Sequence, residues 1–224
     1  MLDHPFTIFR PFKDRLRVAF LDRSDPEMKD TKRAKILGCS DAAALHQMHG
    51  KRVIRVDSQT ARTEQADGMI TDKKCLVLMI RAADCQNFVV FAPEKSIVGM
   101  MHVGWRGLEA DIIGSFFDVL QKEFKTSPEG CFIGGGPSLC KSCADFSDPM
   151  HELPHVPKHL IEGNTADLMR AADERFLELG VSDDRMERMP GCTRCSPEKF
   201  WTYRGGHREE VKAGKTNILA TVLL

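Results

Sequence analysis

Residues 87–92 (N-F-V-V-F-A) and 97–102 (I-V-G-M-M-H) are two β-rich runs separated only by Pro93-Glu94-Lys95-Ser96. A four-residue connection with proline early is a turn, so the pair forms a hairpin. If Ala92 faces Ile97, then Asn87 faces His102 and Cys85 faces Gly104. Side chains alternate between faces, so Cys85 and Asn87 share one face and Cys85 lies diagonal to His102, roughly 7–8 Å away. A thiolate and an imidazole at that separation can share one metal ion or, after a small shift, a hydrogen bond. A slip of one residue would put them on opposite faces, so register decides the chemistry here. An antiparallel pair without a crossover helix also argues against a doubly wound parallel sheet.

Around this hairpin the pattern predicts further strands at 16–21, 52–56, 75–80, 130–133 and 218–223, and a short one inside 67–72. Residues 24–35 read as a loop or a short exposed helix. Ser40-Asp41 caps a helix over 42–46, residues 59–66 form a polar loop, and 148–157 form another loop. His49 then sits at a helix-to-strand junction, followed by Gly50. Apolar residues at Ile112, Ile113, Phe116, Phe117, Val119 and Leu120 give helical spacing over 108–124, which places Gly104–Gly107 at a helix N-terminus able to meet an anion. A second amphipathic helix covers 164–179 and ends at Gly180. The Gly134-Gly135-Gly136 run suits close backbone approach to a ligand, with a tight turn as the plainer alternative. Hairpins mixed with separate helices favour an α+β fold, with sheets packed on one another and helices outside, and the length fits one large domain or two small ones.

The 224 residues balance 32 basic against 32 acidic side chains. No basic stripe favours nucleic acid, and no apolar run is long enough for a membrane span. The expectation is a soluble, cytoplasmic chain with a small-molecule substrate, and a monomer is favoured. Eight cysteines in a reducing compartment suggest thiols or metal ligands rather than disulfides.

Two imidazoles and one thiolate, His49, Cys85 and His102, make a three-ligand zinc set that leaves the fourth position for water or substrate. Copper accepts the same set. Asp84 beside the cysteine can orient a ligand or move a proton, and Gly104-Trp105-Arg106-Gly107 beside the histidine suits stacking and anion binding. The alternatives are a metal-free Cys85–His102 hydrolase dyad, or a small core thiol and a satisfied core histidine. Separately, Cys140-Lys141-Ser142-Cys143 and Cys192-Thr193-Arg194-Cys195 are both C-x-x-C, which can build a closed four-thiolate metal site or remain free thiols.

Taken together, Gln47-Met48-His49-Gly50, Ala66-Asp67-Gly68-Met69-Ile70-Thr71, Ala83-Asp84-Cys85, His102-Val103-Gly104-Trp105-Arg106-Gly107, Gly136-Pro137-Ser138, Cys192-Thr193 and Phe200-Trp201-Thr202-Tyr203-Arg204 resemble the multicopper polyphenol oxidoreductase (laccase domain) family, also regarded as zinc-dependent purine nucleoside phosphorylases. The resemblance implies zinc on His49, Cys85 and His102, and a single domain over residues 1–224 of two packed mixed or antiparallel β-sheets flanked by outer α-helices, a layered sandwich. It implies phosphorolysis of adenosine, inosine, guanosine and methylthioadenosine, and deamination of adenosine. On this reading the catalytic set is Asp84, Cys85 and Arg106, and the substrate-binding set is Gln47, Trp105, Tyr203 and Arg204. Arg106 with Arg204 neutralises phosphate, and Trp105 or Tyr203 stacks on the base. This sequence departs from the family at Gln86-Asn87, where leucine–proline is usual, at Gly205, and at Ala213-Gly214-Lys215. The Arg-Gly-Gly-Ser loop and Ser-Leu-Asn motif usual before the first histidine are missing. A non-catalytic metal-binding member is therefore a rival reading, and copper-dependent phenol oxidation a weaker one, since a multicopper centre needs more histidines than eight scattered ones supply.

Overall fold

The computed structural model describes residues 1–224. In chain order the elements are β1 (Leu2–Asp3), β2 (Leu16–Leu21), α1 (Asp30–Ile36), β3 (Asp41–His46), β4 (Val53–Arg55), β5 (Thr60–Gln65), β6 (Gly68–Thr71) and β7 (Leu76–Ala82). Then follow β8 (Gln86–Ala92), β9 (Ile97–Val103), α2 (Trp105–Glu109), α3 (Ile112–Phe124), β10 (Phe132–Gly135) and α4 (Pro149–Glu152). The chain closes with β11 (Ile161–Glu162), β12 (Thr165–Ala166), α5 (Leu168–Glu178), β13 (Met186–Arg188), α6 (Arg208–Lys212) and β14 (Asn217–Leu223).

Two six-stranded mixed sheets carry the fold, one ordered β1-β2-β14-β7-β3-β5 and the other β13-β10-β8-β9-β6-β4. Alternation along β7 shows how they are layered. Leu76, Leu78 and Ile80 join the core between the sheets with Val89, Phe91, Val98 and Met100. Val77 and Met79 face the other way, into a smaller cluster with Ala34 and Leu37 of the α1 region. On the far side, Phe88, Val90, Met101 and Val103 pack under Phe116, Leu120 and Phe176 of α3 and α5. The order is therefore helix, sheet, sheet, helices, as the α+β reading expects. The hairpin register also holds, with Ala92 opposite Ile97 and Asn87 opposite His102. No helix is long and apolar enough to cross a membrane.

Five local expectations change, the smallest being that the loop expected over 148–157 contains the short helix α4, whose first turn Asp148 caps by accepting the His151 amide. Residues 42–46 are strand, not helix: β3 lies between β5 and β7, paired parallel to both. Its alanines favour helix intrinsically, but Ala43 and Leu45 fill the intersheet core while Ala42 and Ala44 pack toward α1. A parallel strand buried on both faces reads as a continuous apolar run, and small side chains let α1 approach. Residues 59–66 contain β5 rather than a loop. It is an exposed, charged edge strand, the form in which edges resist further pairing. The long helix divides at Asp111, which adopts φ 59° and accepts a hydrogen bond from the Gly114 amide at 3.0 Å, capping α3 afresh. Finally, Gly134 and Gly135 lie in β10, where a Cβ on Gly134 would meet the Phe9 ring at 2.7 Å. Those glycines admit a neighbouring ring and not a ligand. The second amphipathic helix starts at Leu168, capped by Asp167, and Gly180 ends it at φ 99°.

Candidate metal centre and its cleft

His102 lies at the end of β9 and is 2% exposed. Cys85 precedes β8 on the adjacent strand end, and His49 follows β3 on a loop. One ligand atom from each lies within 4.8 Å of the other two. The two imidazole rings stand at 86° with centroids 4.8 Å apart. Gly104 closes the floor: a Cβ there would sit 3.1 Å from His49 Cδ2, 3.2 Å from Cys85 Sγ and 3.6 Å from His102 Cε1. A side chain at 104 would intrude where the three donors converge, so the space among them suits a small ion. Two nitrogens and one sulfur are zinc donors in number and type.

The residue that assembles this centre is Asp67, which the sequence motifs contain but to which they assign no role. Its buried carboxylate accepts the backbone amides of Met48, His49 and Gly50 at 3.1, 2.9 and 2.8 Å. The loop wraps around it, and His49 is held at φ 59°. A left-handed conformation costs a non-glycine residue about 1–3 kcal/mol, and each hydrogen bond to a charged acceptor contributes about 1.5–3 kcal/mol, so the strain is offset. Asp67 also takes a hydrogen bond from His102 Nδ1 at 2.9 Å. A carboxylate only accepts, so Nδ1 carries the proton and Nε2 is left able to serve as a ligand atom. Burial alone would raise the Asp67 carboxyl; hydrogen bonds from His102 and from the Gly50 and His49 amides outweigh it and hold it below its usual range. Burial also works against charge on Cys85 and His102. Even so, His102 and His49 pull the thiol down, while Cys85 and Asp67 push the His102 imidazole up.

The three donors open onto a cleft of about 680 Å³, lined by all of Gln47, His49, Asp84, Cys85, His102, Trp105, Arg106, Tyr203 and Arg204. Their roles within it differ. Gln47 spans two strands: its Nε2 donates to the Arg81 carbonyl at 2.7 Å and its Oε1 accepts the Arg81 amide at 3.0 Å. Buried Asp84, at φ 93°, accepts the hydroxyls of Thr193 and Thr202 at 2.7 and 2.5 Å and the Arg204 amide at 2.7 Å. Arg204 Nη1 donates to the Asp145 carbonyl at 2.6 Å and to its carboxylate at 3.1 Å. Arg106, by contrast, is exposed at the start of α2, with its guanidinium 4.1 Å from the Trp105 ring centroid. Trp105 in turn packs edge-on against Phe146. Tyr203 is 40% exposed, with Arg208 over one face of its ring.

Comparison with known proteins gives a consistent picture. Residues 22–222 match the family model described as multi-copper polyphenol oxidoreductase laccase. A purine nucleoside phosphorylase of Rickettsia conorii is 28% identical over 195 residues, 82% of this chain and 78% of the relative. One from Xylella fastidiosa is 30% identical over 196 residues, 80% of this chain and 71% of the relative. Adenosine deaminase RL5, from an unknown prokaryotic organism, is 26% identical over 175 residues, 74% of this chain and 65% of the relative. In fold, the crystal structure of YlmD from Geobacillus stearothermophilus superposes with a TM-score of 0.77 at 20% identity, covering 96% of this chain and 93% of that one.

Proposed function

This chain belongs to the multi-copper polyphenol oxidoreductase laccase family, and from that premise we propose that it is a zinc-dependent purine nucleoside phosphorylase. The substrates are adenosine, inosine, guanosine and methylthioadenosine with phosphate, and deamination of adenosine is a second activity. The observation that carries the reading is the convergence of His49, Cys85 and His102 within 4.8 Å at a cleft of about 680 Å³. Zinc bound there would supply Lewis acidity, polarising a phosphate or water oxygen at neutral pH.

In phosphorolysis a phosphate oxygen bonds to C1′ of the ribose and the C1′–N9 bond breaks. Its electron pair goes to the purine, which takes up a proton, so the products are ribose 1-phosphate and the free base. Arg106 is an exposed guanidinium lining the cleft and would hold the phosphate; Arg62, also exposed there, is paired with Asp30. Arg204 is engaged with Asp145, so it shapes the wall rather than meeting the anion. Tyr203 stacks its remaining face on the purine, while Trp105 carries Arg106. Asp84 already accepts three hydrogen bonds of the roughly four a carboxylate can take. It positions the Tyr203–Arg204 segment instead of shuttling protons. For deamination, water adds at C6 of adenosine and ammonia leaves, giving inosine.

The lowered Cys85 thiol beside His102 also favours one other reading, a metal-free hydrolase dyad. Adenosine and phosphate incubated with purified protein, followed by chromatography of adenine, inosine and ribose 1-phosphate, separate the two. Activity lost on chelation and restored by zinc supports the proposal. Full nucleoside cleavage by metal-free Cys85→Ala protein overturns it, and chelator-resistant but alkylation-sensitive activity points to the dyad.

A further inference from the structure

The two C-x-x-C pairs are far apart in sequence and lie outside the cleft machinery, yet the fold brings them together. We propose that Cys140, Cys143, Cys192 and Cys195 form a closed tetrathiolate site for a structural zinc ion, which staples together the two loops that make one wall of the cleft.

The geometry is that of shared coordination. All four sulfurs lie within 4.8 Å of one another. Cys143 Sγ stands 3.5 Å from Cys195 Sγ, and Cys140 Sγ 3.9 Å from it. Tetrahedral zinc with Zn–S bonds of about 2.3 Å sets its sulfurs about 3.8 Å apart, whereas a disulfide requires about 2.05 Å. Four donors fill a tetrahedron, so this ion has no position for water or substrate.

Local structure supports thiolates here. A single tight turn carries the first pair, with the Cys143 and Ala144 amides bonded to the Cys140 carbonyl at 2.9 and 3.1 Å. The Cys140 amide donates to Cys192 Sγ at 3.3 Å, the type of bond that stabilises sulfur bearing negative charge. Four thiolates with one zinc carry two net negative charges, and two guanidiniums that share the Asp145 carboxylate leave one net positive charge beside them. Arg194 and Arg204 both reach the Cys143 carbonyl, at 3.3 and 3.5 Å.

The surroundings explain why a staple is useful. Between β10 and α5 the chain has only short turns, α4 and the two-residue strands β11 and β12. The ten-residue apolar cluster beneath it is half the size of the intersheet core and includes Cys143 and Cys192. Across the joint, Ser138 bridges Cys192, the Thr193 amide bonds the Ser138 carbonyl at 3.1 Å, and Thr193 reaches Asp84. Holding 140–143 to 192–195 therefore fixes Ser138, Leu139, Tyr203 and Arg204 on the cleft wall.

The test uses Cys85→Ala protein, in which the other centre is disabled. Elemental analysis after purification under reducing conditions should give one zinc per chain. Cobalt(II) exchange should give intense thiolate-to-cobalt charge-transfer bands with the d–d pattern of a tetrahedral four-sulfur site. Cys85→Ala/Cys195→Ser should lose both signals. Cys85→Ala protein that binds no ion, or in which zinc slows the reaction of none of the seven remaining thiols with Ellman's reagent, overturns the proposal. So does a disulfide between these cysteines in the freshly purified chain. None of these readouts involves nucleoside turnover, so failure of the enzymatic reading leaves the result interpretable.

Discussion

His49, Cys85 and His102 on one side, and Cys140, Cys143, Cys192 and Cys195 on the other, each gather their donor atoms within 4.8 Å. They are built on opposite principles. The first set sits on the ends of β8 and β9 and on a loop tied to Asp67 by three backbone amides. Its positions are fixed by sheet register and a buried carboxylate, and its three donors face a cleft. The second set rides on turns in a region with little regular structure. Its four sulfurs would fill a tetrahedron around zinc, and none of the four lines the cleft, so the ion would organise the protein rather than the reverse. If both proposals hold, the contrast is between a centre preorganised for chemistry and a staple.

The largest expected effect follows directly. Cys85→Ala removes the only sulfur of the open centre and should take nucleoside cleavage to background while the chain keeps its fold and its tetrathiolate ion. Product chromatography, elemental analysis and a melting curve measured on one sample check all three. Loss of both ions together would show that the two regions are not independent.

Asp67→Asn tests preorganisation. It keeps the shape but removes the charge that fixes His102 Nδ1–H and the 48–50 amides. Loss of such a ligand-orienting partner typically costs 10–100-fold in metal affinity or activity, and a zinc titration against a competing chelator measures it. The pH dependence has a definite sign. The Asp67 carboxyl lies below its usual range in the folded chain. Its contribution is therefore present above the unfolded carboxyl pKa of about 3.9 and fades as pH falls through the lower folded value. The difference in Tm between metal-free wild type and Asp67→Asn should shrink on acidification toward pH 3; a gap that widens would assign the stabilisation elsewhere.

Gly104→Ala probes the same centre from its floor. The backbone there is extended, at φ −73°, so alanine brings no strain of its own. Its methyl would press on His49 and Cys85 at 3.1 and 3.2 Å. Zinc affinity should fall by about tenfold, roughly 1.4 kcal/mol, with Tm of the metal-free protein nearly unchanged. Unaltered affinity would mean that the donors have room to spare.

What was legible in the sequence divides along the same line. The hairpin register that brings Cys85 near His102 follows from a four-residue turn and period-two alternation, and it held. The α+β class follows from hairpins mixed with separate helices, whereas the two mixed sheets are what the family resemblance implies. Residues 42–46 misled because an alanine run carries helix propensity, while its burial between β5 and β7 is a tertiary fact. The β5 strand was hidden because an exposed edge has no apolar alternation to read. Asp67 looked like a turn residue, since nothing local shows that its carboxylate reaches a histidine 35 positions later. Each C-x-x-C announced itself, but only the fold shows that the two pairs meet.

The smallest expected effect on turnover is that of Cys195→Ser. The hydrogen bonds that hold the donors of the open centre run to Asp67 and within β8 and β9 and do not involve Cys195, so kcat at saturating substrate should change by less than about threefold, under 0.7 kcal/mol. The wall residues Tyr203 and Arg204 depend on the 192–204 segment, so KM for nucleoside should rise by a few-fold. Removing a bound ion should also lower Tm by on the order of 5–10 °C for a chain of this size. A split between a nearly constant kcat and a raised KM is what a staple at the cleft wall predicts. An equal fall in kcat and kcat/KM would instead mean that the four cysteines act on the reacting centre, and the separation of the two regions would fail.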